Sequence, residues 1–230
     1  METKIKQIFL DLGADLCGIA HIDRFTEAPV GFRPTEIYPD CRSVIVFARQ
    51  LPHGLTQVNP RIIYNHIGDI VKGELDQISY RGSLAIEQLG GVAVPLPCDS
   101  PYEFWDSEKL EGRGLISMRH AARLAGLGSL GKNTLLITRE FGNMVMIGAV
   151  LTNLDLQSDP LTEEYCISSC RICLDKCPTG ALNGLSANQS LCRPYTYGST
   201  KRGFGVCNCN RCRVRCPRAL GVKPPACEKA

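Results

Sequence analysis

Two short cysteine runs near the C-terminal end restrict this chain more than anything else in it. The first is Cys166-Ile-Ser-Ser-Cys170-Arg-Ile-Cys173-Leu-Asp-Lys-Cys177-Pro178, and the second is Cys209-Asn-Arg-Cys212-Arg-Val-Arg-Cys216-Pro217. Both end C-x2-C-x3-C-P. A [4Fe–4S] cubane needs a thiolate at each of four corners, and one tight turn supplies only two or three. Where a chain carries two cubanes, the cysteine before the proline serves the other cluster. The proline stops the local turn and directs that cysteine away from its neighbours. The two half-motifs therefore predict two cubanes with exchanged fourth ligands. Structural zinc is the competing reading, but it has no use for a cysteine before proline in both copies. Disulfides need an oxidising compartment, and the start Met1-Glu-Thr-Lys-Ile-Lys-Gln has no apolar signal core.

Ten of the thirteen cysteines follow residue 165, so a body over 1–155 and a cluster-bearing tail over 156–230 are expected. At 230 residues, 44% hydrophobic and 21% charged, the chain is ordinary for a globular protein. No apolar run approaches the ~20 residues of a membrane span, so no membrane partner and a cytoplasmic location are expected. The formal charge is +3, and eight thiolates on two cubanes would bring the loaded protein to about neutral. Arg193 to Cys227 holds eight Lys or Arg and no Asp or Glu. We read these cations as neutralising the anionic clusters; a docking surface for an acidic electron donor is a further reading. A pI near 8.2 falls short of a nucleic-acid footprint, so nucleic acid is not the expected partner.

Ile5, Ile8, Phe9 and Leu12 predict a helix over 3–12 ending near Gly13, and Leu16 to Ala20 a short buried strand. Residues 23–40 read as loop, and Ser43-Val-Ile-Val-Phe-Ala48 as a central strand. Asn59-Pro60 looks like a capped helix opening. Its apolar stripe runs to Leu89, as one long helix or two broken near Gly82. Strands follow at 91–96, 135–137 and 144–151, with a helix from Ser117 to Leu124 between the first two. This succession predicts an α/β (α+β) body.

Gly126-Leu-Gly128-Ser-Leu-Gly131-Lys132-Asn133-Thr134 matches G-x-G-x-x-G and nearly matches a phosphate loop. Those loops follow a strand and open a helix. Here a helix precedes and a strand-like run follows, and Asn133 replaces the hydroxyl that binds magnesium. What remains is a close-packed turn whose Gly126, Gly128, Gly131, Lys132 and Asn133 could hold an anionic cofactor edge.

His120 to Ile137, Phe141-Gly142, Gly148 to Thr152 and the ordered cysteines together resemble the epoxyqueuosine reductase family, which shares its core with reductive dehalogenases. The resemblance covers nearly the whole chain and is weaker in the first 50 residues. It implies a nitroreductase-like body followed by a ferredoxin-like module with two [4Fe–4S] clusters. It implies Cys166, Cys170, Cys173 and Cys216 as ligands of one cluster, and Cys177, Cys192, Cys209 and Cys212 of the other. Cys207 competes with Cys209, although C-x2-C spacing favours Cys209. The first half-motif here is one residue longer than the family's. The family's larger members continue into a helical-repeat region after the clusters, so this chain looks like a short form. The family's catalytic acid is an Asp shortly before the glycine loop. Asp99 is the nearest match, provided that an insertion separates it from Gly126; a loop-capping role is its alternative.

His120 could approach a cofactor, or simply pack. Tyr102 and Trp105 could line a pocket or cover one. Cys98 beside Asp99 is expected to be unreactive, because a neighbouring carboxylate raises a thiol pKa. Cys17 and Cys41 read as buried thiols. Two functions follow. In one, the chain is a reductase whose clusters pass electrons from an external ferredoxin- or flavodoxin-type donor to a cofactor in the body. That cofactor would be cobalamin or another corrinoid first, a flavin second, acting on a small-molecule substrate. In the other, the chain is an electron-transfer or cofactor-reducing protein with no turnover of its own.

Overall fold

The computed structural model describes residues 1–222. Helix α1 (Glu2–Asp11) turns Ile5 and Phe9 inward and gives way at Gly13, whose φ of 108° suits glycine. Strand β1 (Leu16–His21) leads through a 3-10 turn and the short helix α2 (Pro34–Ile37) to β2 (Ser43–Gln50). Helix α3 (Arg61–Gln88) is continuous. Gly82 does not break it: a Cβ there would lie 2.5 Å from the Phe9 ring, so the glycine lets α1 and α3 touch. The expected Asn59 cap is not formed. Pro60 is the N-cap residue and offers no side-chain bond. Arg61 instead bridges to Cys207, and its Nη1 donates to Asn208 Oδ1 at 3.0 Å, so a distant segment of chain fixes the start of this helix.

Strand β3 (Ala93–Pro95) precedes a hairpin of β4 (Phe104–Asp106) and β5 (Glu111–Arg113), the insertion demanded between Asp99 and Gly126. Helix α4 (Met118–Leu124) runs into a second small hairpin, β6 (Ser129–Leu130) with β7 (Leu136–Ile137), and then into β8 (Val145–Thr152). Strands β1, β2, β8 and β3 form one sheet in that order, with every neighbouring pair antiparallel. The arrangement is a mixed α and β fold built on an antiparallel sheet.

The uniformly apolar β2 follows from burial on both faces. Ile45 and Phe47 point to α1 and α3 and pack with Phe9, Leu75 and Ile86. Val44, Val46 and Ala48 point to α4 and pack with Ala121, Ala122 and Ala125. A Cβ on Gly18 would stand 2.2 Å from the Ala125 carbonyl oxygen, so small residues set how closely α4 rides on the sheet.

Beyond β8 the chain carries α5 (Ile172–Asp175), α6 (Gln189–Thr196), β9 (Tyr197–Ser199), β10 (Gly205–Cys207) and α7 (Arg211–Val214). Asp159 stitches this part to the body. Its carboxylate accepts from Ile19 N–H at 2.9 Å and pairs with Lys6, while its backbone oxygen accepts from Arg24 at 2.7 Å. Among the described residues no helix is long and apolar enough to cross a membrane.

Candidate functional site

The two cysteine runs fold alike, turn for turn. In the first, Leu174 N–H donates to Arg171 O at 2.9 Å, Lys176 N–H to Ile172 O at 2.9 Å and Cys177 N–H to Leu174 O at 3.2 Å. In the second, Arg213 N–H donates to Asn210 O at 2.9 Å, Arg215 N–H to Arg211 O at 3.0 Å and Cys216 N–H to Arg213 O at 3.3 Å. The middle cysteines, Cys173 and Cys212, thus sit on one-turn helices, and Cys177 and Cys216 fall just beyond them. Helices α5 and α7 pack against each other, which lets each last cysteine reach across.

That crossing shows in the neighbours of each thiol. Cys166, Cys170, Cys173 and Cys216 line one small cavity, together with Gly131, Lys132 and Asn133. Burial first, then the proximity of Cys173, Cys166 and Cys170, pushes the Cys216 thiol up. Cys212 is pushed up to about 11, mainly by burial, with Cys192, Cys209 and Cys177 adding and Arg213 opposing. Cys166, Cys170, Cys173 and Cys216 thus form one candidate quartet about a shared cavity, and Cys212 with its neighbours Cys192, Cys209 and Cys177 a second, with Cys207 also near Cys192 and Cys209. Crowded thiols with raised pKa values ionise readily only when a cationic centre offsets their charges. Burial works against ionisation of Cys177 too, but N–H groups of Thr179, Ala181 and Leu182 outweigh it and bring that thiol down. Cys207 is buried in β10, where its Sγ lies 3.4 Å from the Cys209 carbonyl oxygen. Its thiol is pushed up, chiefly by burial, with Cys209 and Cys192 as lesser neighbours.

The donors around the quartets bear on what they could hold. Arg218 Nε, from the wall of the first cavity, and Asn210 Nδ2, from the turn between Cys209 and Cys212, are buried and have no hydrogen-bond partner among the described residues. Unpaired buried donors beside sulfur suit an anionic cluster, which accepts hydrogen bonds at its sulfurs. No three His, Cys, Asp or Glu among the described residues close on one point as a single ion requires. A cubane instead spreads its four thiolates over separate corners.

The glycine loop serves these turns. Lys132 Nζ donates to the backbone carbonyls of Ser168 and, at 2.9 Å, of Cys170. Asn133 Nδ2 donates to the Cys212 carbonyl at 2.8 Å. One residue thus fastens the first turn and its neighbour the second. Gly126 and Gly128 are packing positions, since a Cβ would meet Pro160 O at 2.3 Å and Ile137 O at 2.2 Å. Gly131, Lys132 and Asn133 line the cysteine cavity, while Thr134 at the end of the loop lines a separate cleft.

A separate cleft of ≈ 660 Å³ opens between α4, the first hairpin and the tail, within the usual range for small-molecule sites. Asp99, Tyr102 and His120 line it, Trp105 is not among its lining residues, and Leu115, Ile116, Met146 and Ile147 form an apolar wall. Asp99 pairs with Lys72 at 3.4 Å. His120 Nδ1 lies 2.7 Å from Ser117 Oγ, and burial, then Arg119 and Arg123, lowers its pKa. Cys98 is pushed up to about 12, first by burial and then by Asp76, with Asp99 a lesser neighbour.

Two cleft residues escaped sequence reasoning. Arg213, next to Cys212, donates to the Asn143 and Val145 carbonyls and reaches the cleft, so the second quartet abuts it. Asn143 is fully buried, and its Oδ1 accepts no hydrogen bond from the described residues. Neither stands in a recognisable motif, although Asn143 directly follows the Phe141-Gly142 pair.

No family model matches the chain. Solved structures match it closely in shape. The epoxyqueuosine reductase of Streptococcus thermophilus superposes with a TM-score of 0.68 at 21% identity, covering 98% of this chain and 68% of that one. A catabolic reductive dehalogenase, NpRdhA, in complex with 3-bromo-4-hydroxybenzoic acid gives 0.70 at 18%, covering 94% and 31%. The chain thus has the fold common to reductive dehalogenases and epoxyqueuosine reductases. In sequence, the Lactococcus garvieae epoxyqueuosine reductase is 36% identical over 122 residues, 47% of this chain and 33% of that protein. The resemblance read from the sequence holds: the chain is similar in sequence to epoxyqueuosine reductases and shares its fold with them and with reductive dehalogenases. It spans about a third of the length of the curated relatives it matches. Another epoxyqueuosine reductase with this fold was solved with a tRNA stem loop, which counts against the expectation that nucleic acid is no partner.

Proposed function

We propose that the chain is an iron–sulfur reductase with one [4Fe–4S] cluster on Cys166, Cys170, Cys173 and Cys216 and a second on Cys177, Cys192, Cys209 and Cys212. The observation that carries this is that Cys216, from the second run, lines the cavity of Cys166, Cys170 and Cys173, which supports the exchange of last cysteines that paired cubanes need and paired zinc sites do not. Bound clusters would supply one-electron transfer between an external ferredoxin- or flavodoxin-type donor and the cleft. Arg218 and Asn210 offer N–H groups to them, and Lys132 and Asn133 hold their loops.

The cleft is the place for the electron-accepting group, for which a corrinoid is our first candidate and a flavin the second. The unpaired Asn143 Oδ1 suits an amide N–H, such as a corrinoid carries at its rim, and the apolar wall suits the macrocycle. Asp99 and His120 stand at the same cleft and are the groups able to carry a proton to a reduced substrate. One relative with this fold is a reductive dehalogenase whose structure suggests a mechanism for B12-dependent dehalogenation, which supports the corrinoid.

Anaerobically purified protein is analysed for iron, sulfide and cobalt and then titrated with cobalamin. About eight iron atoms per chain and a shifted corrinoid spectrum are expected. Eight irons with no shift would favour an electron-transfer protein without turnover of its own, and a colourless zinc protein would overturn the proposal.

A further inference from the structure

The hairpin β4–β5 lies far from both cysteine runs in sequence, yet it grips the helix that carries Cys192. Gln189, one turn before Cys192 on α6, pairs twice with Gly112: its Oε1 accepts from Gly112 N–H and its Nε2 donates to Gly112 O, each at 3.0 Å. Arg193 follows Cys192 directly. Its Nε donates to Gln189 Oε1 at 2.8 Å, and its guanidinium lies 5.1 Å from the ring centres of both Tyr102 and Trp105 and 5.7 Å from that of Tyr197. Ser190 Oγ donates to the Lys109 carbonyl at the hairpin's far end.

Gly112 is fitted to this grip. A Cβ there would stand 3.0 Å from Tyr102, 3.1 Å from an Arg193 terminal nitrogen and 3.2 Å from Trp105. The rings are only partly covered otherwise, Trp105 being 49% exposed, so the guanidinium is what orders this face. Tyr102, Gly112 and Gln189 also line the cleft, which makes the same contact part of its rim.

Resting on the proposed cluster assignment, we propose that the hairpin is a strap and Arg193 a positioning residue that together fix Cys192 as a ligand of the second cluster. Cys192 is the one proposed ligand outside the two turns, on a helix of eight residues that has Pro194 within it. It lacks the self-contained turn that places the other seven, and the strap supplies that order from the body. Arginine is needed because it lies flat on rings and donates sideways at once; lysine cannot do both.

The test uses the full chain loaded anaerobically, with iron release to a ferrous chelator followed over time. Gly112→Ala crowds the guanidinium and both rings, which must give by a few tenths of an ångström, without altering any charge, and Arg193→Lys keeps the charge but loses the geometry. In both variants four irons leave about tenfold faster than in the wild type, with the other four unchanged. A Cys166→Ala background, which keeps only the second cluster, identifies the faster set. The reduced-state paramagnetic signal of that cluster shifts, and that of the first does not. Unchanged release in both variants, or equal acceleration of both clusters as in general loosening of the fold, overturns the proposal. If the wild type binds eight irons, such a failure leaves the cluster assignment standing; wild type without iron overturns both.

Discussion

Lys132→Met separates the role of the glycine loop from phosphate-type binding. The ammonium group is held by two carbonyls of the first cysteine loop, those of Ser168 and Cys170, with Ile167 O at 3.4 Å as a weaker third. A hydrogen bond to a charged group contributes about 1.5–3 kcal/mol, and part of this site is open to water. Removing the ammonium while keeping the stem should cost the loop about 2 kcal/mol, a factor of about 30 in how often it opens. The loaded protein is mixed with a ferrous chelator under anaerobic conditions, and the loss of absorbance near 400 nm is followed. Four irons, those of the cluster on Cys166, Cys170, Cys173 and Cys216, should leave about 30-fold faster in the variant. Asn133→Ala is the companion: it removes one neutral bond to Cys212 O and should quicken the other four irons by about fivefold. Wild-type kinetics in Lys132→Met, or both clusters quickened alike, would refute the reasoning.

Two further outcomes follow from the geometry. Cys207→Ser should keep its iron and Cys209→Ser should lose about half, because Cys209 has the C-x2-C spacing to Cys212 while the Cys207 Sγ lies buried 3.4 Å from the Cys209 carbonyl oxygen; metal analysis of both variants checks this. His120 resists protonation in the folded chain, so the unfolded chain takes up that proton first. Stability should therefore fall as pH drops below about 6.5 and level off below the folded value, and thermal midpoints of His120→Gln should show a flatter acid limb.

The features legible in the sequence were those encoded locally. The run Ser43 to Ala48 had to be a strand buried on both faces, and Cys216-Pro217 marked a thiol that lines the cavity of the other run, because each signal lies within a few residues. What stayed hidden depends on partners far along the chain. Asn59-Pro60 reads as a cap, yet contact with β10 overrides it. Lys132 reads as a residue that could hold an anionic cofactor edge, yet its acceptors are carbonyls more than thirty residues away. The hairpin sequence Phe104 to Arg113 is short and charged, without alternation, and turns at Leu110 with a φ of 53° that no glycine announces. Its role depends on Gln189 and Arg193, which look like ordinary surface residues until the chain is folded.

The crossing of thiolates is tested most directly by counting iron in two double variants. If Cys216 completes the quartet of Cys166, then Cys166→Ala with Cys216→Ala removes two ligands of one cluster and leaves about four irons per chain. Cys166→Ala with Cys177→Ala removes one ligand from each and should leave almost none. The reverse pattern, iron kept in the second pair and lost in the first, would mean that each turn closes on its own cluster and would contradict the account.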